Sequence, residues 1–577
     1  MNNNLLLPIC IALSLSACGG GGGSDAAASP TTQEKGTFVT VTPSDNQGGA
    51  VTLGWNQVSG AAYYKLVRYR SSGQRLSDEV VASRLTGTSM KLSLELVDMD
   101  ATTADYELLA CDSSDYCFVK SAKFRLEDLD QAVSKVKTSV SRYDSDSARF
   151  GNAVAWQQDY LLINTVDDSR RIAQIYSAHE NGQYQVDENL LRKSYLITAG
   201  SHTTRANGLV TVGSSFDDFF LAAATVPGTT ETDKSEAFVY MAKTMDITNN
   251  GKPERWLQGH TSPRGPVSDG YGASLASSGK DGGMVVMGHP AQNSSGEVSY
   301  YYFKDLKFPA APEQYMKTIP SPGQFVVKRP DDLAADAKFG ASIAIAKDEV
   351  LVVGAPMDSL LKGTASEIKH GGAAYVYRKA LAPRNTSEIW QLETVLTLPD
   401  GYQKENSGFG SSVVINKAAN LVLIGAPGID RVLTYKYDEQ RGFWSQIDAI
   451  SPVKASAGQK FGSQLALSDK GFLAVSAPLA PWRGFGFHTS PDTLERGGDL
   501  DGTVYIYRLN EYGDRKFAWE GAITGDSVSG VNEEFGASLK FKPGTNKLAV
   551  GAPGHPSDPK LDWSDRSWPN AGAVYIF

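Results

Sequence analysis

Apolar and polar positions along the last three-quarters of this chain follow a strand rhythm that returns at intervals. After Phe339-Gly340, residues 341–346 alternate small or polar residues with Ile343 and Ile345, and residues 349–354 are a dense Val and Leu run. Further on, Gly372-Ala373-Ala374-Tyr375-Val376-Tyr377 alternates aromatic with small or aliphatic residues. That third pattern returns as Gly502-Thr503-Val504-Tyr505-Ile506-Tyr507 and as Gly572-Ala573-Val574-Tyr575-Ile576-Phe577. A fourth apolar stretch follows most copies, at residues 390–398, 444–450 and 519–524. Short β-branched and aromatic runs bounded by Gly, Pro and Asp predict strands.

A two-part phrase punctuates these strands. Phe339-Gly340-Ala341-Ser342 runs into Val352-Val353-Gly354-Ala355-Pro356, and Phe409-Gly410-Ser411-Ser412 into Leu423-Ile424-Gly425-Ala426-Pro427. Phe461-Gly462-Ser463 runs into Ala474-Val475-Ser476-Ala477-Pro478, and Phe535-Gly536-Ala537-Ser538 into Ala549-Val550-Gly551-Ala552-Pro553. Tyr271-Gly272-Ala273-Ser274 with Gly288-His289-Pro290 is a weaker copy, and Phe150-Gly151-Asn152 opens the series. A degenerate copy fits between 150 and 271, around residues 208–212, 219–224 and 237–240, which makes seven. One such unit cannot bury its own apolar face, so the copies must stack or close into a ring. Four antiparallel strands per unit describe the blade of a β-propeller. The last copy ends on its third strand at Phe577, leaving an open edge. Residues 133–141, just before the first Phe-Gly, alternate Val133, Lys135, Lys137 and Val140 with smaller residues and are predicted to supply the closing strand, antiparallel to 574–577.

Over residues 142–577 the paired motif resembles the FG-GAP repeats of the integrin α-subunit seven-bladed propeller and its bacterial relatives. The resemblance implies an all-β fold, a seven-bladed β-propeller spanning 133–577, and implies function only weakly.

The chain has 577 residues, more than one ordinary domain. Residues 36–125 read as a separate small β-sandwich, with short alternating strands at 37–42, 50–55, 63–70, 90–96 and 106–110. Val51-Thr52-Leu53-Gly54-Trp55 followed by Ala62-Tyr63-Tyr64-Lys65-Leu66 resembles the fibronectin type III core.

The apolar segment at 5–15 is far shorter than a membrane span. With Leu15-Ser16-Ala17-Cys18 it resembles a bacterial lipoprotein signal peptide over 1–17, although Met1-Asn2-Asn3-Asn4 lacks the usual basic residue. A plain secretory signal is the alternative. The resemblance implies cleavage before Cys18 and lipid on its sulfur, a membrane contact made through palmitate-type chains. Gly19 is not Asp, which by the same resemblance implies the Gram-negative outer membrane, on the periplasmic or the outer side. Residues 18–35, rich in Gly, Ser and Ala, are a flexible tether. In an exported protein Cys111 and Cys117 suit a cross-hairpin disulfide, with a metal pair as the other reading.

Chemistry is sparse. Net charge is −9 and no Lys/Arg block stands out, so nucleic acid is not an expected partner. Seven His residues are scattered without a spaced pair, and no metalloprotease helix, nucleophile elbow or Cys-x-x-Cys is present. His289 occupies the Ala slot of a repeat. Links such as Ala346-Lys347-Asp348-Glu349 lack the alternating oxygens of a calcium loop. One calcium ion has a candidate site at Asp246, Thr248, Asn250 and Glu254, and a plain Asn-Gly hairpin is the competing reading. The links after Gly-Ala-Pro lengthen in the last two copies. Residues 479–501 carry Trp482, Arg483, Phe485 and Phe487, and residues 554–570 carry Trp563, Arg566 and Trp568. Aromatics and Arg on long loops are binding anchors, or else they hold the loops down. The expectation is a lipid-anchored adhesion or binding protein that recognises a protein or glycan ligand without catalysis. A polysaccharide hydrolase or lyase and a structural part of an outer-membrane assembly are the alternatives.

Overall fold

The computed structural model describes residues 39–43, 50–69, 78–93, 105–124, 134–137, 150–157, 160–164, 173–178, 184–186, 208–212, 219–226, 236–245, 254–261, 273–278, 284–302, 324–380, 390–483, 486–488, 490–497, 500–510, 516–525, 532–556 and 572–577, and for the strands between 173 and 261 the backbone alone. Among them there is no α-helix, only strands and one short 3-10 turn at Pro491–Thr493.

From Val154 onward the described strands form seven successive antiparallel sheets of four or five strands, besides one two-stranded ribbon. Their innermost strands are Val154–Gln157, Gly208–Val212, Ser274–Ser278, Ser342–Ala346, Ser412–Ile415, Leu465–Leu467 and Ser538–Phe541. Each innermost strand contacts the next, and the seventh contacts the first, so the series closes on itself in a β-propeller-like ring. The fourth sheet shows the common order: Ser342–Ala346, Val350–Ala355, Ala373–Lys379, then Trp390–Thr397. The second strand lies between two strands and between two neighbouring sheets, so Val350–Ala355 is buried at every position. This explains its continuous Val and Leu run. The outer strand Trp390–Thr397 buries mainly Trp390 and Leu396.

The core is a set of seams. Residues of the fourth and fifth sheets share one apolar cluster around Val352, Val376, Phe409 and Ile424. Comparable clusters join the third to the fourth, the fifth to the sixth, the sixth to the seventh, and the seventh to the first. Phe150, Phe339, Phe409, Phe461 and Phe535 are all fully buried. Phe339 meets Tyr375 edge-on with centroids 5.5 Å apart, and Phe461 meets Tyr505 in the same way at 5.4 Å.

The seams also explain the glycines of the repeated phrase. Gly410 has φ of 93°, which L side chains rarely adopt. This turn aims its carbonyl at the fourth sheet, where it accepts from Ser342 Oγ at 2.7 Å. Gly354 faces the same oxygen, and a Cβ on Gly354 would lie 2.0 Å from it. One glycine is needed for its conformation and the other for space. Ser274, Ser412 and Ser538 make the equivalent bond to Gly340, Gly462 and Gly151.

The strand Ser134–Lys137, within the segment expected to close the ring, pairs antiparallel with Ala573–Ile576 and forms the outer edge of the seventh sheet. Val136 stands opposite Val574.

Ahead of the ring, the described strands between 39 and 124 form two sheets. Val39–Pro43, Ala50–Trp55 and Ser89–Ser93 make one; Asp78–Leu85, Tyr63–Tyr69, Asp105–Cys111 and Cys117–Lys120 make the other. Leu53 and Trp55 from the first pack with Tyr64, Leu66, Tyr106 and Leu108 from the second. The strands Asp78–Leu85 and Cys117–Lys120 go beyond the five that the alternation predicted. Cys111 and Cys117 are cross-strand partners joined by a disulfide. Cys18 and the tether lie outside the described residues.

Candidate functional site

The long link of the sixth sheet is the first place to look for a ligand face, and it turns inward. Trp482–Arg483 pairs with Glu495–Arg496 as a short ribbon. Trp482 is only 4 % exposed. Its indole N–H donates to Tyr505 Oη at 2.9 Å, and the Lys454 ammonium sits 4.8 Å from its ring centroid. Lys454 is fixed in turn by the carbonyls of Pro491 and Leu494. Burial holds the Tyr505 phenol well above its ordinary range, so it stays a neutral hydrogen-bonding group here. Arg483 Nε lies 3.4 Å from the buried Asp501 carboxylate.

The same link then supplies Gly486–His488 as a fifth strand on the outer edge of the sixth sheet, paired with Phe517–Thr524. Phe487 fits against Gly521, where a Cβ would lie 1.8 Å from the Phe487 ring. Of the anchors expected on this link, the described ones are engaged in packing within the fold. Trp482 does not project, and Arg483 and Phe487 are half-buried and engaged in packing. The physical reason is the unpaired edge of the strand Phe517–Thr524, which the link covers, with Trp482 as its apolar pin. Phe485 lies outside the described residues.

The link of the seventh sheet is seen at its two ends; Trp563, Arg566 and Trp568 lie outside the described residues. Its first end is held by His555, whose Nδ1 is 3.0 Å from Glu533 Oε1, both side chains being buried. Its second end is Gly572, whose N–H donates to the His555 carbonyl at 2.7 Å. Gly572 also bridges to Phe150 of the first sheet. The second end of this link is thus part of the seam that closes the ring, and the Gly572–His555 bond joins the first end to it.

Asp246, Thr248 and Asn250 of the calcium candidate lie outside the described residues. Glu254 opens the strand Glu254–Thr261, opposite Met245 of Glu236–Met245. Among the described residues no group of three or more His, Cys, Asp or Glu side chains is arranged to hold a metal. In the inner hairpins the polar atoms are spent on the turn itself. Asn416 Oδ1 accepts from the Asn420 and Leu421 N–H groups, and Ser468 Oγ accepts from Phe472 N–H.

A feature that motif reading passed over lies on the ring's axis. The inner strands surround a cavity of about 400 Å³, walled largely by Ala, Ser, Val and Leu. Gln464 and Lys540 line it and are both exposed to it. Trp156 Nε1 donates to the Lys540 carbonyl at 3.0 Å, which fixes the backbone from which that side chain departs. The signal was present in the aligned repeats, as two long polar residues at positions where other copies hold Ser, and Ala or Val.

Comparison with known proteins adds the following. An FG-GAP repeat model matches residues 329–377, a stretch containing the first two strands of the fourth sheet and most of the third. No curated protein matches the chain. Among solved structures, a protein named as a 6-phosphogluconolactonase from Bacteroides uniformis is 13% identical over 68% of this chain and 89% of its own, with a TM-score of 0.39. Kluyveromyces lactis Hsv2 is 10% identical over 70% of this chain and 89% of its own, with a TM-score of 0.34. The C-terminal WD40 domain of Sif2 is 11% identical over 74% and 95%, with a TM-score of 0.36. Likenesses this distant carry no argument about what this chain does. What stands is an all-β chain with an FG-GAP repeat in a propeller-like ring of sheets.

Proposed function

We propose that this chain is a lipid-anchored, exported recognition protein. In this reading a fibronectin type III-like module precedes a seven-bladed propeller of the integrin-α type, and a protein or glycan is bound by a propeller loop without catalysis. The observation that carries the reading is the set of contacts that hold the two described ends of the 554–570 link. His555 pairs with Glu533 at the first end, and Gly572 bridges to Phe150 across the closing seam at the second. We read the two Trp and one Arg that the sequence places in this link as anchors for a partner. The inward packing of the neighbouring link, residues 479–501, narrows the proposed face to the seventh blade. Anchoring through Cys18 at the outer membrane rests on the Leu15-Ser16-Ala17-Cys18 sequence.

The test uses the full chain in detergent, with capture measured against a glycan array and against envelope proteins. Trp563→Ala with Trp568→Ala is expected to weaken capture about tenfold or more while leaving the melting temperature unchanged. Trp482→Ala is expected to lower melting and leave capture intact. Undiminished capture by the double variant would overturn the reading. In parallel, Cys18→Ser is expected to leave the membrane fraction, and its retention there would overturn the anchor.

A further inference from the structure

We propose that the axial cavity is a binding site for a small oxyanion, a carboxylate or phosphate group held between the Lys540 ammonium and the Gln464 carboxamide. The argument starts from how the sixth and seventh sheets depart from the repeat. Opposite Gly288, Gly354, Gly425 and Gly551 the inner strands carry Ser274, Ser342, Ser412 and Ser538. Each of these hydroxyls latches the following sheet by donating to a glycine carbonyl at 2.6–2.7 Å. In the sixth sheet that position is Gln464, and Ser476 replaces the opposing glycine. The hydroxyl has moved to the second strand, where it is buried without a hydrogen-bond partner.

The seam is looser as a result. A Cβ on Gly296, Gly372 or Gly572 would lie 2.1 Å from the carbonyl oxygen of the facing Phe, whereas on Gly502 it would lie 2.4 Å away. The sixth sheet therefore gives up a latch and some closeness, and in return it presents a carboxamide to the cavity. Two residues further along the next inner strand, Lys540 stands where Ala276, Ala344, Val414 and Ala466 stand in other copies. Lys540 and Gln464 thus put two long polar side chains on a wall that the other copies line with apolar ones at the Lys540 position.

The charge balance points to an anion. No carboxylate among the described residues pairs with Lys540, and it is the only charged side chain on the described wall of the cavity. Its side chain is wetted by the cavity, yet the ring encloses it, and that loss of bulk solvent lowers the ammonium below its ordinary value. An oxyanion would restore the charge partner. Ammonium to oxyanion contacts are charge-assisted and gain strength where bulk water is excluded. The carboxamide adds a directional N–H donor. A cavity of about 400 Å³ is sized for a small molecule rather than a chain segment. This site is separate from the 554–570 link, so it does not rest on the adhesion reading.

The experiment is calorimetric titration of the full chain in detergent at neutral pH, with inorganic phosphate and with citrate in separate arms. Saturable binding of one molecule per chain is expected in at least one arm, and which arm responds distinguishes phosphate from carboxylate. Lys540→Met is expected to weaken it about tenfold or more, equivalent to about 1.4 kcal/mol. Gln464→Ser, which restores the repeat's own residue, is expected to weaken binding about threefold without lowering the melting temperature. Absence of saturable binding in both arms at millimolar anion, or undiminished binding by Lys540→Met, overturns the proposal. Should Lys540→Met unfold, undiminished binding by Gln464→Ser overturns the two-residue site.

Discussion

His289 shows how a single residue can depart from its repeat and still fit. It stands where the fourth sheet has Ala355, and Ser299 stands where that sheet has Tyr375. Large and small side chains have changed places across the same diagonal. His289 Nε2 lies 2.7 Å from Ser299 Oγ, which supplies the polar partner that a buried imidazole requires. Burial pushes its pKa down from 6.5 to about 3. The folded protein therefore keeps the ring neutral, while the unfolded chain protonates it near 6.5. Between those values the unfolded state binds more protons, so stability falls as pH falls, by about 1.4 kcal/mol per pH unit from this group. His289→Gln should shrink the difference in denaturation midpoint between neutral and mildly acidic pH. An undiminished difference would show that the ring does not stay neutral in the fold. The odd slot was visible in the aligned repeats; the compensating exchange and the neutral state were not, because they depend on packing between strands.

At the scale of strands and seams, the repeated phrase is a fitting rule. Gly354 leaves no space for a Cβ, whereas Ser342 contributes one hydrogen bond across the same seam. Ser342→Ala should cost about 1 kcal/mol, with the Gly410 carbonyl losing its donor. Gly354→Ala must push two packed sheets apart and should cost roughly 2–4 kcal/mol. Chemical denaturation of both variants gives the comparison, and an equal or smaller loss for Gly354→Ala would contradict the seam geometry. The strand pattern itself was legible because a strand between two covered faces reads as an unbroken apolar run, as in 350–355 and 421–426. The link 479–501 was not legible in the same way. Trp482 and Phe487 have the composition of a binding loop, and only the exposed edge of Phe517–Thr524 gives them an inward task.

For the whole molecule, closure is the decisive feature. The seventh sheet takes its outer strand, Ser134–Lys137, from chain that precedes the first sheet. A protein of residues 126–577 keeps that strand, and one of residues 142–577 lacks it. The shorter protein should melt at a clearly lower temperature and self-associate, because the edge Ala573–Ile576 is left unpaired. Calorimetric melting and gel filtration check this, and equal behaviour of the two would show that the strand does not close the ring.

The sequence by itself determined the strands, their grouping by fours and the need for neighbours, because alternation, apolar runs and glycine spacing are properties of residues close together in the chain. It also contained the clue to closure, in the alternating segment 133–141 ahead of the first Phe-Gly, within which Ser134–Lys137 pairs with Ala573–Ile576. Only the tertiary structure decided which way the aromatic side chains of the sixth link face and what meets on the axis. Trp482 is buried by Tyr505 and Lys454, 23 and 28 positions away along the chain, and Lys540 shares a cavity with inner strands drawn from as far back as Asn152. Such placements depend on how separate sheets pack around a common axis, and local patterning carries no record of that.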